Sequence, residues 1–241
     1  MKEPIYRKQC RVTYLDTDCF DRCKPSSLLA FAQSTAGEHC ELLGAGWELL
    51  QKRGLFWAVI RHRMQITRLP GDGEQITVET WPMPSTAAAF PRSTVAYDEK
   101  GSEVFRAVSL WALMDSESRA LVLPGKSGVQ VEGALLGSEL AVPRGLMPLN
   151  AEESVLRRVQ YSQLDRNLHM NNARYMDWVC DLLPAEFHKD HPIRDFTVCY
   201  ISEAREGQAV ALGRHLTDDG VLQVDARSES GDRVFSAQVQ F

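Results

Sequence analysis

One order of elements runs through this sequence twice. A strand-like run, a polar turn, a helix-like run and four further strand-like runs occupy residues 5–114, and the same succession starts again near residue 153. A chain that repeats such an order is expected to fold as two like domains. In the first copy, residues 5–15 read as a strand leading into the polar turn LDTDCFDRCKP. Pro25 suits the first turn of a helix, and Leu28, Phe31, Ala32, Thr35, Ala36, His39, Cys40 and Leu43 recur at the spacing of one helical face. Gly44 and Gly46 weaken that helix and leave Trp47–Lys52 as a short extra turn. In residues 55–69 a period of two puts Phe56, Ala58, Ile60, His62, Met64 and Ile66 on one side. Strands follow at about 74–81, 90–98 and 103–114, parted by the turns PGDG and DEKG.

The second copy has a strand at 153–161, a helix at about 171–183 ended by Pro184, and strands at 193–203, 208–217, 221–228 and 233–240. Between the copies, residues 115–150 show no single period and are rich in glycine and proline, as a crossover would be. The expected class is α+β. Its parts are a first domain over 1–120, a crossover over 121–150 and a second domain over 151–241.

The copies can be overlaid. Tyr14 falls on Tyr161 and Asp18 on Asp165, an offset of 147, and PGDGEQITV overlays AREGQAVAL with Gly73 on Gly207. Where they differ is informative: Asn167 meets Phe20, His169 meets Arg22 and Glu203 meets Leu69. One copy carries a polar constellation where the other has an aromatic, a cation and an aliphatic residue. That asymmetry predicts one active site per chain, with the first half supplying substrate-binding surface.

In the second copy Asp165, Asn167 and His169 alternate with Arg166 and Leu168, so in an extended segment they would share a side. Asn171 and Asn172 stand where the helix is expected to begin, and free amides at a helix start can hold an oxyanion or a polarised carbonyl. Glu203, at the end of a strand, could orient a water or act as base. Hydrolysis of an ester or thioester needs a base, an electrophilic stabiliser and an acyl groove, and each has a candidate. The competing reading is a solvated turn or a helix-capping network. His62 and His39, on apolar faces, read as satisfied core or tunnel histidines; His188, His191 and His215 read as surface residues. Cys199, four residues before Glu203, reads as lining rather than nucleophile.

Other classes have little support. A net charge of -5 gives no global basis for nucleic-acid binding, and no run of eighteen apolar residues suggests membrane insertion. The N-terminus lacks an apolar signal core, so the expected compartment is the cytoplasm. None of the six cysteines forms a C-x-x-C pair, and nothing calls for a metal or a cofactor. The GKS at Gly125–Ser127 is no phosphate loop, because Ala120 stands where its first glycine is required.

At Asp165, Asn167, His169, Asn171, Asn172 and Tyr175, continued by Trp178, the chain resembles the acyl–acyl-carrier-protein thioesterase family. The first-half stretch YLDTDCFDRCKPSSLLAFAQ is similar to the start of that family's first domain. Glu203 takes the position of the family's next marker, but Ala204 stands where plant members have a cysteine, which favours a water mechanism. The resemblance implies a tandem double hotdog, each half a long helix wrapped by an antiparallel β-sheet. It implies hydrolysis of fatty acyl–acyl carrier protein, with coenzyme A thioesters, hotdog dehydration and non-catalytic acyl binding as alternatives.

By the same resemblance Asp165 would orient the site, Asn167 would position the carbonyl or the water, and His169 with Glu203 would handle the proton. Asn171, Asn172 and Tyr175 would position substrate, face the oxyanion or pack the helix. The partner would be an acidic carrier protein bearing a phosphopantetheine-linked chain, met by Arg61, Arg63 and Arg68 or by Arg157 and Arg158. Phe31, Trp57, Ile60, Met64 and Leu69 are candidates for the acyl slot. Pairing into a homodimer through exposed sheet surface is left open.

Overall fold

The computed structural model describes residues 4–149, 151 and 153–241; the predicted range ends at 1 and 150 fall outside them. The chain divides into two compact units. The first runs to Pro143 apart from Pro25–Ser27, and the second takes those three residues with Arg144–Phe241.

The first unit contains β1 (Tyr6–Arg11), α1 (Pro25–Leu42), α2 (Trp47–Lys52), β2 (Leu55–Ile66), β3 (Gln75–Pro82), β4 (Phe90–Asp98), β5 (Glu103–Asp115), β6 (Leu121–Val122) and the single turn α3 (Pro124–Ser127). Its five long strands pair antiparallel in the order β1-β3-β4-β5-β2, with β6 extending the pairing of β5. Proline opens α1 as expected. Gly44 closes it in the left-handed region (φ 73), where its amide donates to Glu41 and that of Ala45 to Cys40. Such a cap satisfies the last carbonyls and stops the helix.

The second unit contains β7 (Ser154–Arg158), α4 (Arg174–Cys180), α5 (Ala185–Asp190), β8 (Asp195–Tyr200), β9 (Ala209–Leu216), β10 (Val221–Ser228) and β11 (Arg233–Gln240). Its sheet has the order β7-β9-β10-β11-β8. Counted within each unit, both sheets therefore run first, third, fourth, fifth, second. The fold is α+β, a tandem of two hotdog-like halves.

Two local expectations change. The second half's helix is seven residues long rather than thirteen. Beyond Cys180 the amides of Leu182 and Leu183 reach only three residues back, to Val179 and Cys180, before Pro184 ends the run. The other change is in β2, whose pairing with β5 slips between Val59 and Arg61, so that Ile60 is an extra residue. A bulge of this kind reverses the alternation. Trp57 and Val59, opposite Leu113 and Trp111, thus join His62, Met64 and Ile66 on one face, and Phe56 and Ala58 turn to the other.

In the first unit that face lies under α1. Arg92 on β4 donates to His39 Nδ1 (3.1 Å) and to Cys40 Sγ (3.5 Å), and the Tyr6 ring stacks on His39. In the second unit Tyr175 of α4 packs edge-on against Tyr200 of β8 and Phe235 of β11, with centroids 5.3 and 4.8 Å apart.

Candidate active site

The loop before α4 closes on one carboxylate. A 3-10 turn at Tyr161–Gln163 is held by reciprocal bonds between Gln160 and Gln163, and Leu164 then bridges Met170. Inside that bridge Asp165 Oδ1 accepts the amides of Asn167 (2.7 Å) and His169 (3.3 Å), while Asn167 Nδ2 donates to Oδ2 at 3.4 Å. The Asp165 amide donates to the His169 carbonyl, and that of Leu168 to the Asp165 carbonyl. Asp165, Asn167 and His169 were expected on one side of an extended segment. The chain instead turns back through Leu168, which is exposed and left-handed at φ 62.

The first half builds the same loop 147 residues earlier. Thr17 bridges Cys23, Asp18 Oδ1 accepts the amides of Phe20 (2.9 Å) and Arg22 (3.0 Å), and Asp21 is left-handed at φ 55. What this copy lacks is the histidine. Arg22 occupies its place, 3.3 Å from Asp18 and over the Phe20 ring.

Glu203 reaches the site from the β8–β9 connection, not from the end of a strand. The ladder of β8 stops at Tyr200 because the amides of Ile201 and Ser202 both donate to the Val234 carbonyl. The chain then runs beside the loop: His169 bridges Arg205, and the Met170 amide donates to the Ala204 carbonyl at 2.8 Å. This places Glu203 Oε2 3.0 Å from His169 Nε2, with the imidazole side chain 11% exposed and the carboxylate 36%. Arg205 Nη2 stands 3.8 Å from the same oxygen. A nearly buried imidazole bonded to a half-open carboxylate can move a proton to or from a water at its mouth.

Asn171 and Asn172 lie before the helix rather than at its start, and Tyr175 packs it against the sheet. The helix starts at Arg174, and the amides of Ala173 and Arg174 are already given to Asn171 Oδ1 and its carbonyl, both at 2.9 Å. Those amides do not face an oxyanion. The Asn172 carbonyl accepts the Tyr200 hydroxyl at 2.9 Å. Tyr175 is buried, and burial raises its pKa well above the usual phenol range. Its hydroxyl bonds the backbone of Ala204, so it ties α4 to the residue beside Glu203. Nothing local in the sequence signals either tyrosine link, and the Gln160–Gln163 pair hides from the usual capping spacing because glutamine, not serine or threonine, stands first.

The five acyl-slot candidates are spread over α1, β2 and the loop after β2. Met64 is fully buried on the α1-facing side; Trp57, on the same face, packs edge-on to Phe90 and donates to the Ala45 carbonyl at 2.9 Å. Ile60 is the bulge residue, and Phe31 lies half-buried on α1. Leu69 belongs to the first-half loop, next to Pro70, whose carbonyl takes the Cys23 amide as Ala204 takes that of Met170. Of the arginines expected to dock a carrier, Arg68 is committed to Glu74 and Asp98 (2.7 and 3.1 Å), and Arg61 to the Pro143 carbonyl. Cys199 is buried, with its thiol toward the Arg144 carbonyl. Among the described residues no three His, Cys, Asp or Glu are grouped to hold a metal ion.

Residues 3–123 match the family described as Acyl-ACP thioesterase N-terminal domain, and residues 148–241 match Acyl-ACP thioesterase C-terminal domain. The chain belongs to the acyl-ACP thioesterase family. Among curated relatives, a palmitoyl-acyl carrier protein thioesterase of Gossypium hirsutum is 28% identical over 192 residues, 73% of this chain and 46% of that protein. A dodecanoyl-[acyl-carrier-protein] hydrolase of Umbellularia californica is 30% identical over 201 residues, 75% of this chain and 52% of that one. The chain spans about half the length of the curated relatives it matches. Among solved structures, an acyl-ACP thioesterase of Bacteroides thetaiotaomicron superposes with a TM-score of 0.89 at 22% identity, covering 100% of this chain and 98% of that one. The 12:0-ACP thioesterase of Umbellularia californica does so with 0.84 at 21% identity and the same coverage. At those identities the structures speak for the shared fold.

Proposed function

We propose that this acyl-ACP thioesterase family member hydrolyses the thioester of fatty acyl–acyl carrier protein, releasing free fatty acid and the carrier with its phosphopantetheine thiol. The observation that carries the reading is the His169–Glu203 pair, 3.0 Å apart, in the half whose counterpart has Arg22 and Leu69 instead. The relatives named for acyl-carrier-protein substrates support the choice of carrier.

In this mechanism Glu203, the more open partner, takes the proton of the attacking water while His169 Nε2 holds the carboxylate in line. The side-chain amide of Asn167, fixed through Asp165, offers its remaining N–H to the thioester carbonyl as charge develops on oxygen. The proton then passes to the leaving thiolate. No covalent acyl-enzyme is needed.

The test is release of acid and thiol from one acyl chain carried on acyl carrier protein and on coenzyme A. Faster turnover on the protein carrier is expected; a preference for coenzyme A would reassign the substrate. His169→Ala and Glu203→Ala should each lower kcat by roughly two to four orders of magnitude. Turnover that persists in the double variant would remove these residues from the chemistry.

A further inference from the structure

The β8–β9 connection brings one further side chain to the site, and the hydrolytic scheme leaves it unused. Arg205 and His169 are partners in an antiparallel bridge, an arrangement that sets two side chains next to each other on one side. Arg205 Nη2 accordingly stands 3.8 Å from the Glu203 oxygen that meets His169. The guanidinium is 66% exposed, so it lies at the open end of the site rather than beneath it.

The backbone that carries this cation is pinned, and its head group is not. The Arg205 amide donates to Gln208 Oε1 at 3.1 Å, and the Arg205 carbonyl accepts the Gln208 amide at 3.0 Å. The Gly207 amide donates to the Val159 carbonyl, and the Val159 amide to that of Gln208, which ties the turn to the chain after β7. The guanidinium itself makes no hydrogen bond among the described residues, since 3.8 Å to Glu203 is too long for one. The first half has no such cation. On the overlay that sets Leu69 at Glu203, Gly71 falls at Arg205. A side chain there would be crowded, because a Cβ on Gly71 would come 3.1 Å from the Asp21 carbonyl oxygen. The arginine thus belongs to the half that carries His169 and Glu203.

Hydrolysis creates a negative charge at this place. The oxygen of water bonds the carbonyl carbon, the carbon–sulfur bond breaks, and the sulfur leaves as a thiol with one of the water's protons. The acid gives its remaining proton to solvent at neutral pH. The product is therefore a carboxylate formed beside the carboxylate of Glu203, and like charges so close repel. A guanidinium meets a carboxylate through two parallel N–H donors, and that of Arg205 has its donors to give. We infer that Arg205 binds the carboxylate of the released fatty acid, forming a product subsite at the mouth of the site. The inference rests on the thioesterase reading and adds to it a form of regulation. The uncharged thioester gains nothing from the guanidinium, whereas free acid is held there and slows the entry of the next substrate as it accumulates.

The test is calorimetric binding of saturated fatty acids, from octanoic to hexadecanoic, to the full chain, each compared with the primary alcohol of the same length. Arg205→Ala should shift the ratio of acid to alcohol affinity at least about fivefold toward the alcohol. Arg205→Lys, which keeps the charge, should retain most of the preference. Added salt should weaken acid binding in the unaltered protein and do so much less in Arg205→Ala. A ratio unchanged in Arg205→Ala, or no binding of any of the acids, overturns the inference. Hydrolysis of acyl–acyl carrier protein by the same preparations keeps the two readings apart. Turnover without an Arg205-dependent preference for the acid ends the inference alone, and the preference without turnover leaves a carboxylate subsite while ending the thioesterase reading.

Discussion

Asp165 and Asp18 accept the same pair of backbone amides, yet only one of them stands in a loop that carries a histidine. A residue that performs the same task in a half without His169 and Glu203 is explained by loop geometry before chemistry. Asp165 therefore acts chiefly as a positioning residue, setting the backbone of Asn167 and His169. Asp165→Asn keeps an oxygen for those amides and should retain activity within about tenfold, whereas Asp165→Ala orphans them, at about 1–3 kcal/mol, and should lower kcat much further. Steady-state rates and urea unfolding of both variants check this. A carboxylate that exchanged protons would make the asparagine as inactive as the alanine. The motif residues themselves were legible in the sequence, but their geometry was not. Leucine gives no hint of a left-handed backbone, so the stretch around Leu168 read as extended. At the matching position the first half has Asp21, a residue type that tolerates that conformation better.

The elements follow the sequence closely where turns bound them on both sides: β4, β10 and β11 begin and end at the expected 90–98, 221–228 and 233–240. The misses share a cause. The bulge at Ile60 and the shared Val234 carbonyl that ends β8 are single-residue events set by the partner strand, and no local pattern reports them. Glu203 was thus found as a residue but misplaced as to element; its connection runs beside the site through the His169–Arg205 bridge and the Met170–Ala204 bond, and a tyrosine on a short helix adds a further tie. Removing that hydroxyl in Tyr175→Phe leaves the aromatic packing on Tyr200 and Phe235 intact and frees only the tie to Ala204. The expected result is a loss of about 1 kcal/mol in stability. The drop should fall in kcat rather than KM, because the carboxylate is displaced while the binding surface stays. A change confined to KM would mean that Tyr175 touches substrate.

At the scale of the whole chain the repeat was legible because both halves carry the same order of elements, and the common strand order is its structural counterpart. What the repeat could not show is how differently the halves treat their buried polar groups. The second puts its histidine against a carboxylate, and the first seals His62 away from any partner among the described residues. That contrast has a consequence for acid stability. Burial lowers the His62 pKa from 6.5 to about 4. Between those values an unfolded chain takes up a proton that the folded chain refuses, so stability is whole above pH 6.5 and falls as pH drops toward 4. Over the full window the loss from this residue amounts to about 3 kcal/mol. His62→Leu carries no such proton. Urea unfolding across pH 4 to 7 should therefore show a shallower decline for the variant, the gap between the two proteins widening as pH falls. Parallel curves would mean that the imidazole reaches solvent or a partner in the folded protein.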